Sequence, residues 1–396
     1  MDKNRRSFIA MAALAAIGGQ GLIRATPATA DTPGWGVLPT PNPGTGNNAL
    51  TAVSGSSEDD FWAVGTYETR PGGGPVKPLS LQWRGYAWQA VPVPAPAGKD
   101  RVELTGVVAI TPGDAWAVGH TGSLTGGDET ALITRWQNGE WQIVPSPVVG
   151  DPGTPNRLKS VAAAGADDVW AVGEARTASG NKPVVQHWDG QAWTVTAIPQ
   201  PPSGSGVLSG VAVRSATEAW AVGHASSSIA GRTVEPYVLR WNGTSWSLVP
   251  TPNDGDIGLT LSAVAVGPDG TVMATGDKRW RAVDGSVTRR SAVLRYDGTV
   301  WRIVPVPTSY LSADSSINSV AISRKGEVWI AGHNPHGESF GQFFPSDNTW
   351  KLVEGANSGA EYAHVYIWIV DRVWCVGYQD VGDARRTYSE WSPVLD

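Results

Sequence analysis

The stretch Trp170-Ala171-Val172-Gly173, followed by Trp188-Asp189-Gly190-Gln191-Ala192-Trp193, decides the fold because both halves recur along the chain. The first half is an apolar strand that ends at a glycine. The second half is a hairpin whose Asp-Gly turn joins two strands that each carry a Trp. Copies of the first half start about 45 to 56 residues apart, at Trp62, Trp116, Trp170, Trp220, Met273, Trp329 and Trp374. Seven units of this length indicate a repeat architecture.

Each unit has the same internal order: a first strand, an acidic turn such as Asp167-Asp168, the Trp-Ala-Val-Gly strand and the Trp hairpin. Four antiparallel strands per unit predict an all-β, seven-bladed β-propeller. The first strand carries a small residue at its third position, as expected for an innermost strand; these residues are Ala52, Gly106, Ser160, Gly210, Ala263 and Ser319. We predict that the acidic turns are structural and that the Trp side chains pack between blades.

The last two units depart from this pattern. In the sixth, Pro345 stands where the first hairpin Trp is expected. The seventh ends at Trp391 with no room for a fourth strand. Residues Trp35–Asn42 match Trp246–Asn253, the fourth strand of another unit. We therefore predict that the N-terminal strand completes the last blade and closes the ring, which leaves few exposed strand edges.

Residues 1–30 have the features of a twin-arginine signal peptide: Arg5-Arg6, an alanine-rich apolar run and Ala28-Thr29-Ala30. They predict export, cleavage near Ala30-Asp31, and one propeller domain over residues 31–396. The apolar run is too short for a membrane span, so none is predicted. The net charge is −6, which argues against nucleic acid as a partner.

The long, dissimilar connections run from the second to the third strand and from blade to blade, and both emerge on one face of such a meander. We predict that this face is functional. The residue after each strand-ending glycine lies at its rim; these residues are Thr66, His120, Glu174, His224, Asp277, His333 and Tyr378. We name the last six as candidate binding residues. The His, Glu and Asp types suit metal or acid–base chemistry; the alternative is a set of polar residues at strand exits that form hydrogen bonds with the loops. No metal or other cofactor is predicted.

The sequence is compatible with three functional hypotheses. The first is a non-enzymatic protein-binding propeller. The second is a lectin-like glycan binder that uses Trp side chains. The third is an enzyme (a lyase, hydrolase or cyclase) at the His-rich rim. The fifth unit also has a basic loop near Trp280, which suits either an acidic protein partner or simple solvation; its residues are Arg279, Arg281, Arg289 and Arg290.

The signal, the Trp-Ala-Val-Gly repeats, the Trp hairpins and the Val-Pro-x-Pro blade ends together resemble the secreted actinomycete propellers of the dispase autolysis-inducing protein family. The resemblance implies an extracellular, monomeric protein with a metalloprotease and a transglutaminase as partners. It further implies that binding provokes self-digestion of the protease and that glutamines are cross-linked. Gln342 and Gln379 are the candidate acceptors, and we expect both to be exposed.

Overall fold

The computed structural model describes residues 35–151, 153–227, 233–253, 257–281, 284–306, 315–334, 337–346, 348–353, 360–368 and 372–392. The predicted signal peptide, residues 1–30, and its cleavage point lie outside these ranges. The regular elements within the ranges are β-strands. In this part of the chain there is no helix long and apolar enough to cross a membrane.

The predicted all-β propeller is confirmed: the described strands form four-stranded antiparallel meanders, called blades here. Blades 1 and 2 are further joined by one parallel pair, Val76 with Arg101. The first strand of the chain is β1 (Gly36–Val37). Blade 1 comprises β2 (Asn48–Ser57), β3 (Asp60–Glu68), β4 (Val76–Trp83) and β5 (Trp88–Ala90). Blade 2 comprises β6 (Arg101–Thr111), β7 (Asp114–Gly122), β8 (Thr130–Gln137) and β9 (Glu140–Val144).

The remaining blades follow in chain order. Blade 3 comprises β10 (Asn156–Gly165), β11 (Asp168–Thr177), β12 (Gly180–Trp188) and β13 (Trp193–Val195). Blade 4 comprises β14 (Gly206–Ser215), β15 (Glu218–Ser226), β16 (Val234–Trp241) and β17 (Trp246–Leu248). Blade 5 comprises β18 (Gly258–Val266), β19 (Val272–Arg281), β20 (Val287–Tyr296) and β21 (Trp301–Val304).

Blade 6 comprises β22 (Ser316–Ile322), β23 (Val328–Asn334), β24 (Gly337–Phe344) and β25 (Thr349–Leu352). Blade 7 comprises β26 (Ala360–Trp368), β27 (Arg372–Val381) and β28 (Ala384–Trp391), with β1 as its fourth strand. We call the end of the propeller with the short turns between first and second strands the turn face. The opposite end is the loop face.

The first strands of blades 1 to 6 line a central channel of about 540 Å³. The small residues predicted for these strands let neighbouring blades approach closely. A Cβ atom on Gly106 would lie 3.2 Å from Cα of Ser160 in the next blade, and one on Gly210 would lie 3.0 Å from Cα of Ala263. Larger side chains would force the inner strands apart, because protein interiors are close-packed.

The predicted packing of Trp side chains between blades is confirmed. The second-strand Trp of blades 1, 2 and 3 contacts a hairpin Trp of the next blade, with ring-centroid distances of 4.7 Å for Trp62–Trp136, 5.0 Å for Trp116–Trp188 and 4.9 Å for Trp170–Trp241. Trp62 and Trp116 are fully buried. Tilted aromatic pairs contribute roughly 0.5–1.5 kcal/mol each beyond the area they bury, so these contacts join the blades into one core.

The predicted closure of the ring is also confirmed. Strand β1 pairs with β28, with Gly36 opposite Trp391. On its other side, blade 7 packs on blade 1, where Phe61 stacks on Trp374 at 4.5 Å. The two ends of the chain therefore share one sheet, and the edge of blade 7 is covered by main-chain pairing.

In blade 6, Phe343 and not Pro345 occupies the place of the first hairpin Trp. Phe343 lies opposite Trp350, as the two Trp residues of other hairpins do. The prediction for Pro345 was wrong because it assumed the usual spacing, whereas the turn in blade 6 is two residues longer. Phe343 is buried in one apolar cluster with Met273 of blade 5. Met273 takes the place of the second-strand Trp in blade 5, and Phe343 takes the place of the hairpin Trp in blade 6. These two replacements thus pack together at one blade interface.

On the turn face, the acidic residue that opens a second strand holds a side chain of the third strand. Asp114 accepts hydrogen bonds from Nε and Nη2 of Arg135 at 2.8 and 2.7 Å. The equivalent contacts are Asp60–Gln82 at 2.9 Å, Asp168–His187 at 2.8 Å and Glu218–Arg240 at 3.6 Å. The prediction that these acidic turns are structural is confirmed for blades 1 to 4.

Candidate functional site at the rim of the loop face

The six candidate binding residues occupy one equivalent position, directly after the glycine of each second strand. Each lies opposite a residue near the start of its own blade's first strand. The pairs are His120–Glu103, Glu174–Arg157, His224–Val207, Asp277–Thr260, His333–Ser316 and Tyr378–Glu361. The structure therefore places one candidate in each of blades 2 to 7, at the loop-face end of the second strand.

These residues are less accessible than side chains on the loops themselves. His120, Glu174 and Asp277 are buried, whereas His224 and Tyr378 are half-buried. Residues of the inner strands reach past them toward solvent. The contacts made by those inner-strand residues therefore determine what the rim presents.

His120 lies among ion pairs between blades 2 and 3. Its Nε2 is 3.8 Å from Oε2 of Glu103, and the other carboxylate oxygen of Glu103, Oε1, accepts a hydrogen bond from Nε of Arg101 at 2.5 Å. Arg157 Nη2 lies 2.7 Å from Oε1 of Glu129. Burial lowers the pKa of His120; Glu103 opposes this effect and Arg157 adds to it. The imidazole is therefore mainly neutral at pH 7.

Glu174 is held by partners from two neighbouring strands. Lys159 Nζ lies 3.2 Å from Oε1, and Asn181 Nδ2 donates a hydrogen bond of 2.7 Å to Oε2. Arg157 Nη1 is 3.9 Å from Oε1. With both oxygens engaged, the carboxylate acts as an acceptor that fixes the cations around it.

His224 lies between the charges of blades 3 and 5. Burial lowers its pKa, Lys159 and Arg279 lower it further, and Glu174 and Asp277 oppose the shift. Arg279 Nε is 3.7 Å from Oδ2 of Asp277. These interactions extend the series of charges from blade 2 to blade 5. We call this series the charged belt; it consists of Arg101, Glu103, His120, Glu129, Arg157, Lys159, Glu174, His224, Asp277 and Arg279.

The cations of the charged belt are more exposed than its carboxylates. The side chains of Arg101 and Arg157 are 41% and 39% exposed, whereas those of Glu174 and Glu129 are 11% and 9% exposed. The belt therefore turns guanidinium donors toward solvent above a layer of carboxylates. Such donors suit the recognition of carboxylates and other acceptors on a partner. Among the described residues, no group of three or more His, Cys, Asp or Glu side chains could hold a metal ion.

The inner-strand members of the belt were not predicted from the sequence. Two of them, Arg157 and Lys159, are two residues apart on β10, so their side chains leave the same face of the strand. Arg101 and Glu103 repeat this spacing on β6. Glu103 and Arg157, which lie opposite the rim residue in adjacent units, were the available signal.

The Trp side chains of the second strands do not offer stacking surfaces. The exposed fraction is 3% or less for Trp62, Trp116, Trp170, Trp220, Trp329 and Trp374. A lectin-like function through these residues would need exposed ring faces. Their burial assigns them to the core instead.

The expected exposure of Gln342 was wrong. The residue is only 4% exposed, because it lies opposite Trp329 within the sheet of blade 6. Gln379 is half-buried on β27, next to the rim residue Tyr378. Several other glutamines are exposed, and these are Gln89, Gln142, Gln191 and Gln200.

No protein-family model matches the sequence, and no curated protein matches it. Solved structures match in fold. YCF48 from Cyanidioschyzon merolae is 16% identical with a TM-score of 0.52, covering 91% of this chain and 98% of that one. An ulvan lyase of polysaccharide lyase family PL25 is 11% identical with a TM-score of 0.54, covering 87% and 97%.

A mutant of the α-L-arabinofuranosidase Arb93A from Fusarium graminearum is 9% identical with a TM-score of 0.55, covering 90% of this chain and 96% of that one. Identities this low show a shared fold alone. Two of these three structures are named as enzymes, and one fold can carry many unrelated functions. The function of this chain therefore has to be argued from its own rim.

Proposed function

We propose that this chain is an exported, monomeric propeller that acts by binding another protein at its loop face. The charged belt carries the proposal, because it combines exposed cations with carboxylates that already have partners. A catalytic acid–base pair needs groups that are free to exchange a proton with a substrate. Here Glu174 is engaged at both oxygens, by Lys159 and Asn181.

The rigid scaffold under the belt supports the same proposal. Each rim position is fixed by pairing between its first and second strands, as for His120 opposite Glu103. A preorganised set of donors loses little conformational entropy on binding, which favours protein recognition. The dissimilar loops around the belt would then provide specificity.

For the partner we propose a secreted neutral metalloprotease whose self-digestion is promoted when it binds. The resemblance of the repeats and the signal to the dispase autolysis-inducing family supports this choice. The test is to incubate the mature chain with such a protease and to follow the loss of intact protease over time. We expect the chain to accelerate the loss.

The same assay locates the surface. The double variant Arg157→Gln/Lys159→Gln removes two cations of the belt, and we expect it to lose most of the acceleration. The control is Arg302→Gln, which removes an exposed cation paired with Asp297 in a third-to-fourth-strand turn. Unchanged acceleration by the belt variant would refute the proposed surface, and no acceleration by the wild type would refute the proposed partner.

We further propose that export depends on residues 1–30 and that a transglutaminase cross-links exposed glutamines. N-terminal sequencing of secreted protein should begin at Asp31 if cleavage follows Ala30. Labelling with a primary amine by a secreted transglutaminase, followed by peptide mapping, should mark Gln379 or the exposed glutamines Gln89, Gln142, Gln191 and Gln200. Label confined to other residues would contradict these assignments.

A further inference from the structure

The connection from the second to the third strand of blade 5 is unusually basic for an acidic chain. Residues 278–290, which we call the blade 5 ribbon, contain five basic residues and one acidic residue in a chain of net charge −6. The corresponding segment of blade 2, residues 121–131, contains Asp128 and Glu129 and no basic residue. The concentration of positive charge therefore belongs to blade 5 and is not part of the repeat.

Four of the five basic residues of the ribbon lie directly opposite one another. Lys278 is opposite Arg290, and Arg279 is opposite Arg289. Like charges in direct cross-strand contact destabilise a sheet. Arg279 has Asp277 as a counter-charge at 3.7 Å, whereas the side chains of Arg289 and Arg290 on the third strand are exposed.

Blade 7 shows what stability alone favours at the same place. There Asp380 lies opposite Arg385, at the positions equivalent to Arg279 and Arg289, and Arg385 Nε is 3.7 Å from Oδ1 of Asp380. Opposite charges thus face each other in blade 7 and like charges in blade 5. The two blades have the same strand pairing here and differ in the charge of the second-strand residue, which is Asp380 in blade 7 and Arg279 in blade 5.

The ribbon also has the composition of a binding hot spot. Arg289 and Arg290 are exposed, and Trp280 is half-buried on the same side of the ribbon as Arg290. The Nε1 atom of Trp280 is buried and makes no hydrogen bond with the described residues. Trp and Arg are the residues most enriched in hot spots of protein interfaces.

Resting on the proposed function, we infer that the blade 5 ribbon docks an extended acidic segment of the partner protein. Side chains two residues apart on one strand face are separated by about 6.6 Å, which is the spacing of alternate residues in any extended peptide. An extended segment with a carboxylate at every second position can therefore reach the exposed Arg289, with Arg281 on the same face of the ribbon. Guanidinium groups bind carboxylates in a bidentate geometry, and the added negative charge would offset the repulsion between the strands.

The test measures binding of a fluorescent peptide of alternating Glu and Thr to the mature chain by fluorescence anisotropy. A peptide of alternating Gln and Thr serves as the neutral comparison. The ribbon variant is Arg289→Gln/Arg290→Gln, and the matched control Lys182→Gln/Arg385→Gln removes the same charge from exposed positions on blades 3 and 7. We expect the acidic peptide to bind wild type and control alike, and the ribbon variant about tenfold more weakly or worse.

Two further measurements separate binding from folding. Added salt should weaken the binding of the acidic peptide, because the charges of the ribbon are exposed and are therefore screened. The ribbon variant should unfold at the same temperature as the wild type or a higher one, since it relieves like-charge contacts. Equal binding of both peptides, an equal loss in the control, or binding of a sulfated polysaccharide without peptide binding would overturn the inference.

The inference and the proposed function can fail separately. If the protease assay responds to Arg157→Gln/Lys159→Gln but not to the ribbon variant, the ribbon assignment is wrong and the loop-face function stands. If the acidic peptide binds the ribbon while the protease is indifferent, the ribbon assignment stands and the proposed partner is wrong.

Discussion

The two faces of the propeller use charge in opposite ways. On the turn face the same contact recurs from blade to blade although the residues change: Asp114 holds Arg135, and Asp168 holds His187. On the loop face the positions are equivalent but the contacts are not. His120 lies beside a carboxylate, whereas Glu174 lies beside two cations.

This difference distinguishes positions that maintain the fold from positions that vary between blades. A contact that is rebuilt with Gln, Arg or His in successive blades maintains the blade itself. A position that changes character in each blade is not needed for the fold. Changes near the turn face should therefore reduce stability, and changes at the rim should reduce binding.

The largest effect is expected when the repeated scaffold is opened. Deleting residues 35–41 removes β1 and exposes the edge of β28. An unpaired strand edge promotes association with other chains. We expect the deletion variant to aggregate, which size-exclusion chromatography would detect. A soluble monomer with wild-type thermal stability would contradict the closure mechanism.

A large effect is also expected in the aromatic layer beneath the turn face. Trp116→Ala removes a fully buried side chain that packs on Trp188 and lies under the guanidinium of Arg135. We expect a loss of about 3–5 kcal/mol in the free energy of unfolding. Urea denaturation measures it, and Trp116→Phe should restore part of the loss. A change below 1 kcal/mol would place Trp116 outside the core.

The comparison of the faces is sharpest for two acidic residues of blade 2. Asp114→Ala leaves Arg135 largely buried without its partner, so we expect a loss of about 3 kcal/mol. Glu103→Ala breaks a more exposed pair with Arg101 and should cost about 1 kcal/mol or less. Urea denaturation of both variants tests this order. A reversed order would show that the rim and not the turn holds the blade.

The smallest effect is a dependence of stability on pH that arises at the rim. Burial lowers the pKa values of His120 and His224 below their ordinary 6.5 in the folded chain. As the pH falls below 6.5, the unfolded chain therefore binds more protons than the folded chain, and stability decreases until the pH passes the lowered values.

Urea midpoints at about pH 7.5 and pH 5.5 bracket this window. We expect the wild type to lose stability between them and His120→Asn/His224→Asn to lose less. The turn-face histidine His187 provides the control through His187→Asn, which leaves both rim imidazoles in place. Identical differences for the rim variant and the wild type would mean that other groups control the response.

Most of the fold could be predicted because each blade is encoded locally. The Trp-Ala-Val-Gly strand and the Asn-Gly or Asp-Gly hairpin each specify a few neighbouring residues, and their recurrence gives the ring. The prediction failed for Pro345 where a longer turn shifted the register. It failed for Gln342 because burial depends on Trp329, which lies across the sheet.

For the rim of the loop face, the sequence predicted which positions lie there but not the contacts that their side chains make. Its chemistry depends on contacts between blades, such as Arg157 of blade 3 with Glu129 of blade 2. These residues belong to different repeats, so the pattern within one unit carries no sign of the pairing. The like-charge pairs of the blade 5 ribbon likewise depend on the register of β19 with β20.

The shared last blade also fixes the order in which the molecule can be completed. The hydroxyl groups of Thr40 and Thr387 are 2.8 Å apart although 347 positions of chain separate them. Strand β1, the first after the predicted signal peptide, therefore has no partner until β28 has been synthesised. Because the two ends meet in one sheet, a circular permutant that joins them and opens the chain between two other blades would keep the same architecture. In such a permutant each blade, including blade 7, would be formed by consecutive residues of the chain.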